Sequence, residues 1–273
     1  WSNIFELSGG AGNDLVTFDW NMSDISHWSS AYSNSIAMTG DLGHDTLIMD
    51  INWGYQYADP FSLDPSNIST NDFSLNGGDG NDSLHFEWSV QGNYGSSYFS
   101  SNAITLTGEA GDDALSLDLT FTDMNCTFSS NIIEMTGGDG DDSLVFNLTM
   151  VSSTSGNNIG SNLYTLDGGA GNDTINFTYT GTAAAWNDAI NISGGDGLDS
   201  LTVDFDVSTI LTTNILTIDG GSGADSIVVD VDGSEAAIVF DYNSTADLGD
   251  TIRGLDAISN EFSFSFCSHM PVA

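Results

Sequence analysis

The sequence predicts an all-β protein, a parallel β-solenoid of about nine coils, on three observations. A Gly-rich, Asp-ended turn recurs at intervals of 25 to 37 residues, beginning at Gly9, Gly40, Gly77, Gly108, Gly137, Gly168, Gly194 and Gly220, with a degraded ninth copy at Thr245. Self-similarity with such a period marks a solenoid. Apolar and polar residues alternate on both sides of each turn, the pattern of half-buried strands. Gly, Ser, Thr and Asn abound and no 3.6-residue period is present, which argues against helices.

Each coil begins with a period-2 segment upstream of its turn. Its apolar pairs are Phe5/Leu7, Ile36/Met38, Phe73/Leu75, Ile104/Leu106, Ile133/Met135, Tyr164/Leu166, Ile190/Ile192 and Leu216/Ile218. The turn follows, as in Gly77-Gly78-Asp79-Gly80-Asn81-Asp82, and alternation then resumes with Leu84, Phe86 and Trp88. Stacked in register, these segments make two parallel sheets facing across a thin apolar core, each strand bonded to the coils before and after it. Six residues before each turn stand Asn3, Asn34, Asn71, Asn102, Asn131, Asn162, Asp188 and Asn214, a column expected to form a stacked amide ladder.

Early coils carry Trp20, Trp53 and Trp88 where later ones carry Phe205 and Val231, so the solenoid is expected to taper. Polar loops join the coils, the longest running from Tyr55 to Thr70, and are expected at the edge opposite the turns. Residues 1–254 are expected to form the array and 255–273 a C-terminal tail or capping strand containing Phe262, Phe264 and Phe266.

One basic residue, Arg253, stands against 39 acidic ones, for a formal charge of −38. Nucleic acid and anionic membranes require a positive patch and are poor partners, whereas multivalent cations suit this chain. No apolar run is long enough to cross a membrane as a helix, so membrane insertion is not expected. Cys126 and Cys267 are too few for a disulfide framework and read as independent thiols. The chain does not begin with Met and reads as a processed form or an excerpt of something longer.

The turn is the candidate metal site. Its first and fourth positions are Gly9 and Gly12, Gly40 and Gly43, Gly77 and Gly80, Gly108 and Gly111, Gly137 and Gly140, Gly168 and Gly171, Gly194 and Gly197, and Gly220 and Gly223. Its sixth position is Asp14, Asp45, Asp82, Asp113, Asp142, Asp173, Asp199, Asp225 and, in the ninth copy, Asp250; three of the eight turns that open on glycine add Asp79, Asp139 or Asp196 at the third position. Carbonyl oxygens exposed by glycine, plus a carboxylate, form an all-oxygen set suited to Ca²⁺. Zinc or copper prefers His or Cys, and His27, His44, His85 and His269 form no cluster in sequence. Carboxylates stacked about 4.8 Å apart repel by about 1 kcal/mol per pair even in water, so several calcium ions are expected between adjacent turns, coupled to folding.

The Gly-Gly-x-Gly-x-Asp-x-apolar pattern resembles the RTX (hemolysin-type) calcium-binding repeats, a β-roll family of secreted and cell-surface bacterial proteins. The resemblance covers nearly the whole chain and implies calcium binding and an extracellular or cell-surface location. Here a long coil carries one turn, which places calcium along a single edge. Asp41 and Glu109 stand where the second glycine belongs, and Thr245–Ile252 lacks the glycines.

Ten residues after each turn's first glycine come Asp19, Asp50, Glu87, Asp118, Asn147, Thr178, Asp204 and Asp230, a second acidic column expected to face solvent or to bridge neighbouring molecules through cations. Histidines show no catalytic spacing, and Arg253 is far from most of the carboxylates, so no enzymatic activity is expected. The leading expectation is a calcium-stabilised extracellular structural protein, a subunit of a surface layer, filament or adhesin stalk, packing against its own kind or against neighbouring segments of a longer chain. The alternatives are an adhesin or carbohydrate-binding module, taking glycans at Trp28, Tyr32, Tyr55, Tyr57 and Tyr94, and the calcium-binding C-terminal domain of a secreted enzyme.

Overall fold

The structure is a computed structural model that describes residues 2–22, 30–54, 67–91, 96–122, 125–151, 158–182, 185–207, 215–232, 237–242, 251–253 and 262–266. These form a parallel β-solenoid without helices, in which every paired strand runs parallel to its neighbour. No helix among them is long and apolar enough to cross a membrane. Strands entering the turns, such as Asp72–Asp79, build one long sheet of 11 strands; strands leaving them, such as Ser83–Gln91, build a second of nine.

Register follows the apolar columns. Ile36, Phe73, Ile104, Ile133, Tyr164, Ile190 and Leu216 stand opposite one another coil after coil in the upstream sheet. Leu47, Leu84, Leu115, Leu144, Ile175, Leu201 and Ile227 do so in the downstream sheet. Both columns are buried. A shift of one residue would turn every one of these side chains to solvent, so burial itself locks the stacking.

A third sheet corrects the two-sheet expectation. Ser30–Tyr32, Asn67–Ser69, Ser96–Ser100, Asn125–Ser129, Asn158–Gly160 and Ala185–Trp186 form a six-stranded parallel sheet in segments read from sequence as loop. Strands of two to five residues offer at most two core-facing positions, too few for alternation to register as a period. Ala31, Ile68, Phe99 and Phe128 point into the shared core, where Phe99 lies 5.6 Å from Trp88 and 5.0 Å from Phe121 between ring centroids. This third wall closes the aromatic-rich core of the coils up to Trp186, and the repeat shortens to 25 or 26 residues from Gly168 onward.

Phe262–Phe266 pairs in parallel with Ala237–Tyr242 and extends the upstream sheet by one strand. Cys267, Asn214, the ninth turn with Asp250, and Trp28, Tyr55, Tyr57 and Tyr94 lie outside the described residues.

Candidate metal centre at the aspartate corner

Each coil bends at two corners lined by a polar column. At the first, between the short and upstream sheets, the expected ladder of amides is present. Asn34 donates from its backbone N–H (3.0 Å) and from Nδ2 (2.8 Å) to Asn71 Oδ1, and Asn71, Asn102 and Asn131 repeat the pattern. The remaining Nδ2 hydrogen goes to a carbonyl of the short sheet: Ala31 from Asn71, Ile68 from Asn102, Phe99 from Asn131, Phe128 from Asn162. From Asn34 to Asp188, the residue before each column member has a positive φ: Ser33, Thr70, Ser101, Ser130, Ser161 and Asn187, between 55° and 60°. These small polar residues before each Asn are a legible signal that sequence reading missed.

The second corner is the glycine turn. At its fourth position Gly43 has φ 140°, and a Cβ there would run into the Gly12 carbonyl of the coil before. Only glycine permits that approach. The second position also has positive φ, including the two exceptions, Asp41 at 79° and Glu109 at 82°. Hydrogen bonds anchor both side chains: Ser8 Oγ donates to Asp41 Oδ2 (2.5 Å), and Asn76 Nδ2 to Glu109 Oε1 (2.7 Å).

The sixth-position aspartates turn inward, and Asp45, Asp82, Asp113, Asp142, Asp173, Asp199 and Asp225 are only 1–3% exposed. Each Oδ1 accepts the backbone N–H of the aspartate one coil earlier, at 2.7 Å from Asp14–Asp45 through Asp173–Asp199 and 2.8 Å at Asp199–Asp225. The other oxygen is left over. Oδ2 of Asp14, Asp45, Asp82, Asp113, Asp142, Asp173, Asp199 and Asp225 is buried without a hydrogen-bond partner. Buried polar atoms are nearly always satisfied, so eight exceptions in one column call for either a proton on the carboxyl or a cation beside it.

The first glycine makes room beside that oxygen. A Cβ on Gly77 would lie 2.5 Å from Asp82 Oδ2 and 2.9 Å from the Gly108 carbonyl of the next coil. Gly9, Gly40, Gly108, Gly137, Gly168 and Gly194 sit likewise between their own aspartate and the next coil's glycine carbonyl. Carboxylate and carbonyl oxygens thus converge where a side chain would otherwise be, which fits a hard cation such as Ca²⁺.

Burial works against the charge on these groups. It raises Asp113 to about 7 and Asp142 and Asp199 to about 6, and also raises Asp82 and Asp173. The N–H donated to each carboxylate opposes the rise, and neighbouring aspartates in the column reinforce it.

The remaining predicted ligands fall elsewhere in the turn. Asp79, Asp139 and Asp196 are exposed, outside the inward column; their backbone carbonyls accept the N–H of Gly43, Gly111 and Gly171. Gly140 and Gly80 bond in the same way to Ala170 and Ala110, and Gly12 to Leu42, so turns are joined directly through backbone. Gly197, Gly220 and Gly223 belong to the last described turns, with the Gly220 carbonyl over Gly194 and Gly223 stacked on the Gly197 carbonyl. The fifth position forms a further ladder not anticipated from sequence: Asn13, His44, Asn81, Asp112, Asp141 and Asn172 each accept the N–H of the fifth residue in the next coil.

The second acidic column is in register as expected, with Asp19 opposite Asp50, Asp50 opposite Glu87, Glu87 opposite Asp118, and Asp204 opposite Asp230. It lies on the outer face of the downstream sheet. Compared with models of known protein families and with curated proteins, the chain matches none.

Proposed function

We propose that this chain is a calcium-stabilised, non-enzymatic structural element of RTX type, working outside the cell as part of a surface layer, filament or adhesin stalk. The observation that carries the reading is the column of buried Asp Oδ2 atoms without a hydrogen-bond partner, of which the seven from Asp14 to Asp199 each lie beside a glycine cradle. The sixth-position aspartates and the first-glycine carbonyls would hold the ions. A bound dication supplies the positive charge that a corner made only of oxygen lacks.

Composition supports the rest. A formal charge of −38 disfavours compaction without counter-cations, and calcium sites of modest affinity suit extracellular modules. A rod whose coils are tied by continuous ladders resists bending and presents repeated faces for lateral or end-to-end contact with its own kind.

Calcium titration followed by circular dichroism tests the metal. The β-spectrum is expected to build with calcium and to collapse in chelator; a spectrum fully retained in chelator overturns metal-coupled folding. Electron microscopy in calcium and in chelator tests assembly. Calcium-dependent rods or sheets are expected, and monomers unchanged by calcium removal overturn the structural role.

A further inference from the structure

On the outer face of the downstream sheet, 35 residues of sequence close into one cluster. Strands Thr46–Gly54 and Ser83–Gln91 pair in parallel with Asp50 directly opposite Glu87. His85 precedes Glu87 by two residues and therefore projects from the same face. One imidazole nitrogen of His85 and one carboxylate oxygen each from Asp50 and Glu87 lie within 4.8 Å of one another.

We propose that Asp50, His85 and Glu87 form a binding site for one borderline transition-metal ion, with Zn²⁺ as the reference ion, distinct from the calcium column. The donor set sets it apart. The aspartate corner is all oxygen, whereas here an imidazole joins two carboxylates, the mixture that zinc and its neighbours favour over calcium. On a tetrahedral ion such ligand atoms stand about 3.4 Å apart, within reach of side-chain rotation from the observed spacing.

The surroundings favour the site. Both strands are interior members of the nine-stranded sheet, so the three residues rise from a backbone bonded on both sides. Asp118, next in the column, takes hydrogen bonds from Asn147 Nδ2 (2.7 Å) and Ser116 Oγ (3.2 Å). Its Oδ2 stands 4.0 Å from His85 Nδ1, near enough to bias the ring's orientation. Among the described residues, no hydrogen bond reaches the side-chain carboxylates of Asp50 and Glu87, so two half-buried carboxylates in direct opposition lack the relief that Asn147 brings to Asp118. An ion there would join two coils across the longest interval in the array, the 37 residues from Gly40 to Gly77, where cross-linking a long loop removes the most chain entropy.

The test is a Zn²⁺ titration of the untagged full chain in saturating calcium, by calorimetry, with Co²⁺ visible absorption as a second readout. One zinc equivalent is expected to bind more tightly than all others, and Co²⁺ to show d–d bands of a nitrogen-containing site. His85→Ala should weaken that equivalent by about 100-fold and abolish the bands, and Asp50→Asn should weaken it by about tenfold. Circular dichroism confirms that each variant folds, and a chain with His27→Ala and His269→Ala should keep the site. No distinct zinc equivalent in the parent chain, or an isotherm unchanged by His85→Ala, overturns the proposal. Neither outcome depends on whether the turns bind calcium, which chelator and circular dichroism read separately.

Discussion

The two corners of each coil use one hydrogen-bonding device with two different residues. At both, a side-chain Oδ1 accepts the backbone N–H of its counterpart one coil earlier, at 3.0 Å between Asn102 and Asn131 and 2.7 Å between Asp113 and Asp142. The difference is the second terminal atom. In asparagine it is a donor, which bonds to the next Oδ1 and to a short-sheet carbonyl, so the ladder closes on itself. In aspartate it is an oxygen facing another oxygen, and the ladder stays open by one acceptor per coil. The amide corner thus needs nothing from outside. The carboxylate corner needs a proton or a cation, because a buried charge without a partner is costly.

The largest expected effect comes from making the corners alike. In the triple variant Asp113→Asn, Asp142→Asn, Asp173→Asn, each new Nδ2 becomes a donor beside the next coil's glycine carbonyl. Thermal unfolding in chelator should then move to higher temperature, by about 1–3 kcal/mol per site, while the gain in stability from added calcium shrinks. A lower Tm in chelator would break the comparison.

The reverse exchange, Asn131→Asp, deletes the bonds from Nδ2 to Asn162 Oδ1 (3.0 Å) and the Phe99 carbonyl (3.2 Å) and leaves a carboxylate among acceptors. A loss of about 3 kcal/mol is expected in denaturant unfolding, and calcium should not restore it because that corner has no glycine cradle.

A smaller, graded effect follows from acidity. Without divalent cations, the folded chain holds protons on Asp113, Asp142 and Asp199, at about 7, 6 and 6, that an unfolded chain with carboxyls at 3.8 has released. Stability from these groups is therefore fully present below about pH 4 and is lost as pH rises through 6 to 7. Melting of metal-free protein across that window should show Tm falling with pH, and saturating calcium should flatten the slope. A metal-free Tm that rises through the same window would refute the assignment.

The smallest effect tests the natural exception, Asp188, which occupies a position in the amide column. Burial pushes it up to about 6, against the N–H and Nδ2 donated by Asn162. Asp188→Asn should stabilise the protein by about 1 kcal/mol at pH 8 and have less effect at pH 5, where the parent carboxyl is protonated.

Much of this was legible in the chain itself wherever one residue type recurs at one position. The Gly-x-x-Gly-x-Asp turn, the Asn column and the apolar pairs each repeat in sequence, and repetition at a fixed offset from the turn is what parallel in-register stacking converts into a column. The short sheet was not legible, because Asn67–Ser69 or Ala185–Trp186 is too brief to show a period. The fifth-position ladder was hidden for a different reason: Asn81, Asp112 and His44 look unlike one another and share only an acceptor atom.

By itself, the sequence determined the solenoid, its register and the aspartate edge, since burial of alternating apolar residues leaves one way for the repeats to stack. Only the tertiary structure decided which carboxylate oxygen is spent on a neighbour's N–H and which is left over, because that depends on distances between coils rather than within one. It also decided that His85 stands beside Asp50. The register already sets their strands side by side, but only the side-chain conformations bring the donor atoms within 4.8 Å of one another.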